Sequence, residues 1–254
     1  MRFEVTGPLR VVGDDGTAVT LPRGRVRQLL TALLLQDGPV PETKLCEWLS
    51  QGTRPMAGST LRTHVAALRR ALGSAGDRVR TVPAGYLIEV RSGELDLTEF
   101  RNLSSRGREA LSAGDHVTAG RLLRQAANLW REPVLTDVPD SPHAWPLVME
   151  LDEERQLVAE ALVDARLHLG EHRELIPELR ARAAMDPPQE RVVEQLMTAL
   201  YRSGRRIEAC DAYRRLRKLL AEAYGVEPGS AVERLHQRIL ADHADLHLAS
   251  AMTA

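Results

Sequence analysis

The sequence predicts two folds in series, a mixed α/β domain over residues 1–93 and an all-helical domain over residues 94–254. Three observations carry this. Before residue 93, short alternating runs (Arg2–Thr6, Leu9–Val12, Ala18–Leu21, Val79–Val82, Tyr86–Val90) stand among three helix-like stretches, whereas after Leu95 helix follows helix. Charge divides at the same place: residues 1–93 hold 13 Lys plus Arg against 8 Asp plus Glu, the remainder 21 against 27, so a basic half precedes an acidic one. Finally, Gly114, Gly170 and Gly204 recur as helix-ending glycines with small or apolar residues five positions on (Ala119, Leu175, Ala209) and nine positions on (Leu123, Leu179, Tyr213).

In the first half, Arg23-Gly24-Arg25-Val26-Arg27 opens a helix whose apolar face is Val26, Leu29, Leu30, Leu33 and Leu34. A short helix, Pro41–Leu49, follows the Gly38-Pro39 turn. Residues 57–73 form a strongly amphipathic helix closed by Gly73, with Leu61, Val65, Leu68 and Leu72 on one stripe. Its opposite surface carries Ser59, Thr63, Ala66 and Arg70, flanked by Arg62 and Arg69 on one side and by Thr60, His64 and Ala67 on the other. Cationic and hydroxylic side chains separated by small alanines suit a helix that enters a DNA major groove; an ordinary surface helix of an Arg-rich protein has a similar look. Context favours the former. The runs Arg78–Val82 and Tyr86–Val90, around Pro83-Ala84-Gly85, read as a hairpin, and helix, helix, basic helix, hairpin is the order of a winged helix-turn-helix.

In the second half, Asp96-Leu97-Thr98-Glu99 and Asp115 supply N-cap residues. The marker glycines are 56 and 34 residues apart; 34 is the tetratricopeptide period, and the longer interval fits the same unit with Arg131–Pro146 inserted. On spacing alone, a generic helical bundle fits as well.

Several function classes lose support. The 34 basic residues nearly balance 35 acidic ones with 43% hydrophobic content, a globular composition. The longest apolar run, Leu29–Leu35 with Thr31 inside it, is too short to span a bilayer, and the N-terminus lacks a secretory core, so a cytoplasmic protein without membrane contact is expected. Cys46 and Cys210 share no ligand spacing and read as free thiols. Neither Lys44 nor Lys218 follows a glycine, and the dinucleotide and nucleophile-elbow motifs are missing, so no enzyme and no cofactor are expected. His168 with His172, and His243 with His247, have i, i+4 spacing but read as surface histidines rather than metal ligands. The run Glu150, Asp152, Glu153, Glu154 reads as a solvated face of a helix beginning near Ser141 or Pro142.

Three stretches of the first half, residues 21–30, 59–72 and Arg80-Thr81-Val82-Pro83-Ala84-Gly85-Tyr86, resemble the OmpR-type winged helix of the Streptomyces antibiotic regulatory protein family. In the second half, Leu129-Trp130-Arg131, Glu153-Glu154-Arg155, residues 200–205, residues 212–216 and residues 225–229 are similar to that family's bacterial transcriptional activator domain. Glu47–Gly52 departs from the Leu-Trp-Gly stretch of many relatives. The resemblance covers about residues 1–240. It implies a transcriptional activator of an antibiotic biosynthetic cluster that binds direct repeats of promoter DNA near the −35 region and contacts RNA polymerase. Because one winged helix reads a short site, two protomers are expected in tandem on that DNA, and the charge of the acidic half, with the family, suits the sigma factor of the RNA polymerase holoenzyme as partner. The resemblance also implies tetratricopeptide-like packing for residues 94–240. Its recognition positions fall on Thr60, Arg62, Thr63, His64, Arg69 and Arg70, and its wing on Arg78, Arg80 and Tyr86; Arg25, Arg27 and Lys44 are further phosphate-contact candidates. The ATPase, sensor and receiver segments of larger relatives are not in the sequence, so control through such a domain is not expected. The rival expectation is an adaptor whose tetratricopeptide-like face binds a peptide and whose winged helix does not read DNA.

Overall fold

The computed structural model describes residues 1–50, 56–132, 136–138, 144–185, 187–243 and 246. The chain forms two compact units, one of residues 1–105 and 124–156, the other of residues 106–123 and 157–254. Both short sheets lie in the first 88 residues, and among the described residues every later element is helical.

The first unit opens with an antiparallel pair, β1 (Arg2–Glu4) and β2 (Arg10–Val12), in which Phe3 faces Val11. The run at Ala18–Leu21 contributes only one bridge, Val12 to Ala18. Three helices follow: α1 (Arg25–Leu34), α2 (Glu42–Trp48) and α3 (Gly58–Ala71). Leu29, Leu30, Leu33, Leu45, Leu61 and Leu68 are all at most 1% exposed, so the apolar stripes read from the sequence are the faces that the helices bury. A 3₁₀ turn, Gly73–Arg78, leads into the hairpin β3 (Val79–Val82) and β4 (Gly85–Ile88). The hairpin is fastened to the helices by a two-way backbone bridge, Val40 N–H to Tyr86 O at 2.7 Å and Tyr86 N–H to Val40 O at 2.9 Å. Gly85 permits that approach: its φ is +135°, and a Cβ there would stand 2.0 Å from the Val40 carbonyl oxygen.

Helix α4 (Asp96–Ser112) begins in this unit, where Leu97 and Phe100 are buried and Phe100 meets Trp130 edge to face, with ring centroids 5.3 Å apart. Asp96 differs from the N-cap expectation. Its carboxylate, 3% exposed, turns away from its own helix and accepts from the Val5 N–H at 2.8 Å, the Thr6 N–H at 3.2 Å and the Thr6 hydroxyl at 2.7 Å. The buried start of the chain thus satisfies its donors on a residue ninety positions away. Asp115 does cap, its Oδ1 accepting from the Thr118 N–H at 3.0 Å at the start of α5 (His116–Ala127). The described part of the next helix, α6, is Trp145–His168; the expected start at Ser141 or Pro142 lies outside the described residues.

The remaining helices are α7 (His172–Ala183), α8 (Glu190–Arg202), α9 (Arg206–Leu219) and α10 (Ser230–Leu240). The marker glycines end α4, α6 and α8 with one motif. Each has a positive φ (81°, 87°, 78°), and the next residue's N–H reaches back five positions: Asp115 to Ala110, Glu171 to Arg166 and Arg205 to Leu200, at 2.9–3.0 Å. Ala119, Leu175, Ala209, Leu123 and Leu179 are fully buried and Tyr213 is 7% exposed, so the repeat in the sequence is a repeat of helix hairpins. A fourth copy, invisible to a search for glycine, ends α10: Asp242 takes φ 52°, and the His243 N–H bonds Arg238 O at 3.0 Å. No helix of the described residues is long and apolar enough to cross a membrane.

Candidate nucleic-acid interface

Helix α3 buries Leu61, Val65 and Leu68 and turns Thr60, Arg62, Thr63, Ala66 and Arg70 to solvent. Residues 58–71 include no acidic residue, so the exposed face is cationic throughout. Its side chains are held lightly. Arg62 meets Glu42 of α2 at 3.3 Å with both side chains largely exposed, a contact that a phosphate or base edge can displace. Among the described residues Arg70 reaches only the Ala66 carbonyl, at 3.4 Å, and the Thr63 hydroxyl donates to Ser59 O at 3.2 Å.

Arg69 is held in another way. Its Nε donates to Val79 O at 2.8 Å and one terminal nitrogen donates to Thr81 Oγ1 at 2.9 Å, which ties the helix to β3 and orients the guanidinium. His64 is half-buried; burial first, and then the nearby Arg25 guanidinium, push its pKa below the usual histidine value. It therefore stands neutral at pH 7, offering hydrogen bonds rather than charge. Arg25 itself, at the start of α1, bonds Gln28 at 2.7 Å.

The other expected residues are dispersed. Arg80 is exposed on the hairpin and pairs with Glu89 at 2.5 Å. Arg78 is 15% exposed and donates to Glu94 at 2.6 Å. Tyr86 is 5% exposed and sits at the base of the hairpin, where its backbone meets Val40. Lys44 on α2 donates to Gln36 at 2.9 Å and lies 4.5 Å over the Trp48 ring. Arg27 is engaged most firmly: its Nε and a terminal nitrogen grip both Asp137 oxygens at 2.6 and 2.8 Å, and it also donates to Leu9 O. Burial raises the Asp137 pKa, but Arg27 and the Leu9 N–H outweigh it and hold the carboxyl below its usual value. The structure thus groups Thr60, Arg62, Thr63, His64, Arg69, Arg70 and the neighbouring Arg25 on or beside α3, with Arg80 on the hairpin and Arg27, Arg78 and Tyr86 in framework contacts.

Sequence reading missed the supporting residues Glu42, Thr81, Glu89, Glu94 and Asp137. Each acts across a turn or a long loop, at separations no helical or strand period encodes. The Gln51–Gly52 part of the stretch before α3 lies outside the described residues, as does His247. The other paired histidines part company: His168 stacks on His116, ring centroids 4.1 Å apart, while His172 is 9% exposed at the start of α7.

Residues 95–240 match the family model described as the bacterial transcriptional activator domain. The chain is 37% identical to the regulatory protein DnrI of Streptomyces peucetius, over 94% of this chain and 92% of that one. It is 38% identical to the regulatory protein AfsR of Streptomyces griseus, over 98% of this chain but 25% of that longer protein. Among solved structures, that of Mycobacterium tuberculosis EmbR in complex with a low-affinity phosphopeptide is similar, with a TM-score of 0.86 and 32% identity, over 95% of this chain and 65% of that one.

Proposed function

From the premise that the chain belongs to the Streptomyces antibiotic regulatory protein family of transcriptional regulators, we propose that it activates an antibiotic biosynthetic cluster by reading promoter DNA with α3. Residues 1–93 act as an OmpR-type winged helix-turn-helix and residues 94–254 as a tetratricopeptide-like activator domain. The observation that carries this is the exposed face of α3, where Thr60, Arg62, Thr63 and Arg70 stand free of any ion pair more firmly held than the Arg62–Glu42 contact. Arg62 and Thr63 approach base edges, Arg70 and Arg69 take phosphates, and Arg80 reaches backbone or minor groove from the hairpin. Arg25 and Lys44 add phosphate contacts at the flanks. Arg27, Arg78 and Tyr86 serve the same interface from behind, by holding the elements that carry it.

One such module reads a short site, so two protomers bind direct repeats about 10–11 bp apart, head to tail, near the −35 region. The acidic half then offers a surface to RNA polymerase holoenzyme, through the basic promoter-binding part of its sigma factor. The protein works on the nucleoid, in the cytoplasm.

Selection of random duplexes by the purified chain at near-physiological salt, beside an Arg62→Ala, Arg70→Ala double variant, tests this. The expected result is enrichment of a direct repeat at one-turn spacing, lost in the variant. Arg62→Ala alone costs about 1–3 kcal/mol and relaxes sequence preference, while Lys44→Ala weakens all sequences evenly and flattens the salt dependence. A palindromic site rejects tandem pairing. Enrichment that the double variant retains rejects the assignment to α3, and no enrichment leaves the adaptor reading.

A further inference from the structure

In the second unit, α6, α8 and α10 enclose a groove of about 400 Å³ lined by Asp164 and His168, by Arg191, Gln195 and Arg202, and by Arg234 and Arg238, with Leu246 at one edge. Its charges are unevenly matched. The lining also includes Glu194, and Arg191 pairs with both of its acids, Asp164 at 2.5 Å and Glu194 at 2.9 Å, which leaves four arginines against two carboxylates. Arg202 has no carboxylate among the described residues. Its Nε donates to Leu246 O at 2.9 Å and a terminal nitrogen to Leu167 O at 3.3 Å, two neutral acceptors that orient the guanidinium without neutralising it. Burial lowers the Arg202 pKa, and no anion opposes the shift. The same charge is felt around it: after burial, Arg202 helps to hold His172 below the usual histidine value, and after burial and His116 it does the same to His168. Arg234, exposed on α10, also has no carboxylate partner among the described residues.

A second orphan lies in the lining. Gln195 is 2% exposed, and its amide nitrogen donates to Glu160 O at 2.9 Å and to Asp164 Oδ1 at 2.8 Å. Its Oε1 is buried and accepts nothing among the described residues. Those two bonds fix which end of the amide is oxygen, so the lining of one groove holds an acceptor without a donor and, in Arg202, a charge without a counter-ion among the described residues. A half-buried cation without a counter-ion and a buried acceptor without a donor each cost stability, and both are relieved by one ligand that carries an anion and a donor.

We propose that this groove binds an organic carboxylate with a hydrogen-bond donor next to it, the carboxylate seated on Arg202 and Arg234 and the donor on Gln195 Oε1. Two sources present that chemistry, a free hydroxy or amino acid and the C-terminal residue of a peptide. The site is independent of the DNA-reading face, so it stands or falls separately from the proposed function.

Calorimetric titration of the full chain at fixed ionic strength tests it with four probes. Mandelate and phenylacetate differ only in the hydroxyl beside the carboxylate; an N-acetylated tripeptide acid and its amide differ only in the terminal charge. Saturable binding is expected for mandelate over phenylacetate, for the tripeptide acid over its amide, or for both pairs, and the pair that responds identifies the source. Arg234→Gln weakens it by about tenfold, the loss of one charge-assisted bond. Arg202→Gln does the same or more, Gln195→Leu erases the preference for the donor-bearing probe, and Arg215→Gln, away from the groove, changes nothing. Because Arg234 is exposed and unpaired with acid, its variant keeps the test open even if the Arg202 variant fails to fold. No saturation by either acid at about 10 mM, or binding that survives both arginine substitutions, overturns the proposal.

Discussion

Replacing Asp96 by alanine should weaken the first unit far more than its place at a helix start suggests. An exposed N-cap loses about 1 kcal/mol on such a change. Asp96, however, is 3% exposed and serves donors from the beginning of the chain. Its removal leaves the Val5 and Thr6 N–H groups without acceptors, at about 1–3 kcal/mol each. The Thr6 hydroxyl keeps Leu129 O at 2.6 Å, and Arg131 keeps Glu4, so neither adds a full penalty. The total is about 2–6 kcal/mol, or roughly 4–24 °C in Tm for a chain of this size. Urea unfolding followed by circular dichroism measures it, with Asp96→Asn as the graded control, since one carbonyl oxygen still accepts from one of the two N–H groups. If Asp96→Ala fell within about 1 kcal/mol of the parent, the buried-donor reasoning would be refuted, and Asp96 would be no more than a cap.

Other substitutions probe the turns and the histidines. Gly85→Ala forces a residue with a Cβ to φ +135° and drives that atom against Val40 O, so a loss of at least about 3 kcal/mol and of hydrogen-exchange protection at Val40 and Tyr86 is expected; unchanged protection would contradict the close approach. At the helix end without glycine, Asp242→Gly relieves the left-handed backbone while giving up the Tyr201 hydroxyl bond and should be nearly neutral, whereas Asp242→Ala loses both and costs about 1–2 kcal/mol. Equal effects of the two would show that the backbone angle there is inconsequential. Burial, before any neighbouring charge, lowers the pKa values of His168, His172 and His236 in the folded state. The unfolded chain therefore takes up more protons as pH falls below about 6.5, and stability declines from there through the lowered folded values. The urea midpoint should be lower at pH 5.5 than at pH 7.5; an equal or higher midpoint counts against the neutral buried imidazoles.

The sequence by itself determined what depends on local periodicity and on backbone angles. The apolar stripes of α1 and α3, the hairpin after α3, and the three glycine-ended hairpins of the helical half were all legible. A 3.6-residue spacing names the buried face of a helix, and a left-handed terminus selects glycine without reference to the rest of the fold. The cationic face of α3 was legible for the same reason, since burying Leu61, Val65 and Leu68 leaves Arg62 and Arg70 outside.

Tertiary structure decided which charges remain available. Nothing local distinguishes Arg25 from Arg27, yet Asp137, 110 residues on, grips only Arg27. Nothing local marks Glu94 as the partner of Arg78, Thr81 as the rest for Arg69, or Asp96 as the acceptor for Val5 and Thr6. The change of texture at residue 93 is real in the sequence, but the compact unit around α3 is completed by residues 94–105 and 124–156. That Arg202 and Gln195 line one groove likewise depends on α6 and α10 packing beside α8. Pairing a charge or a buried donor depends on which atoms come within about 3 Å, a distance the chain fixes only when segments far apart in sequence meet.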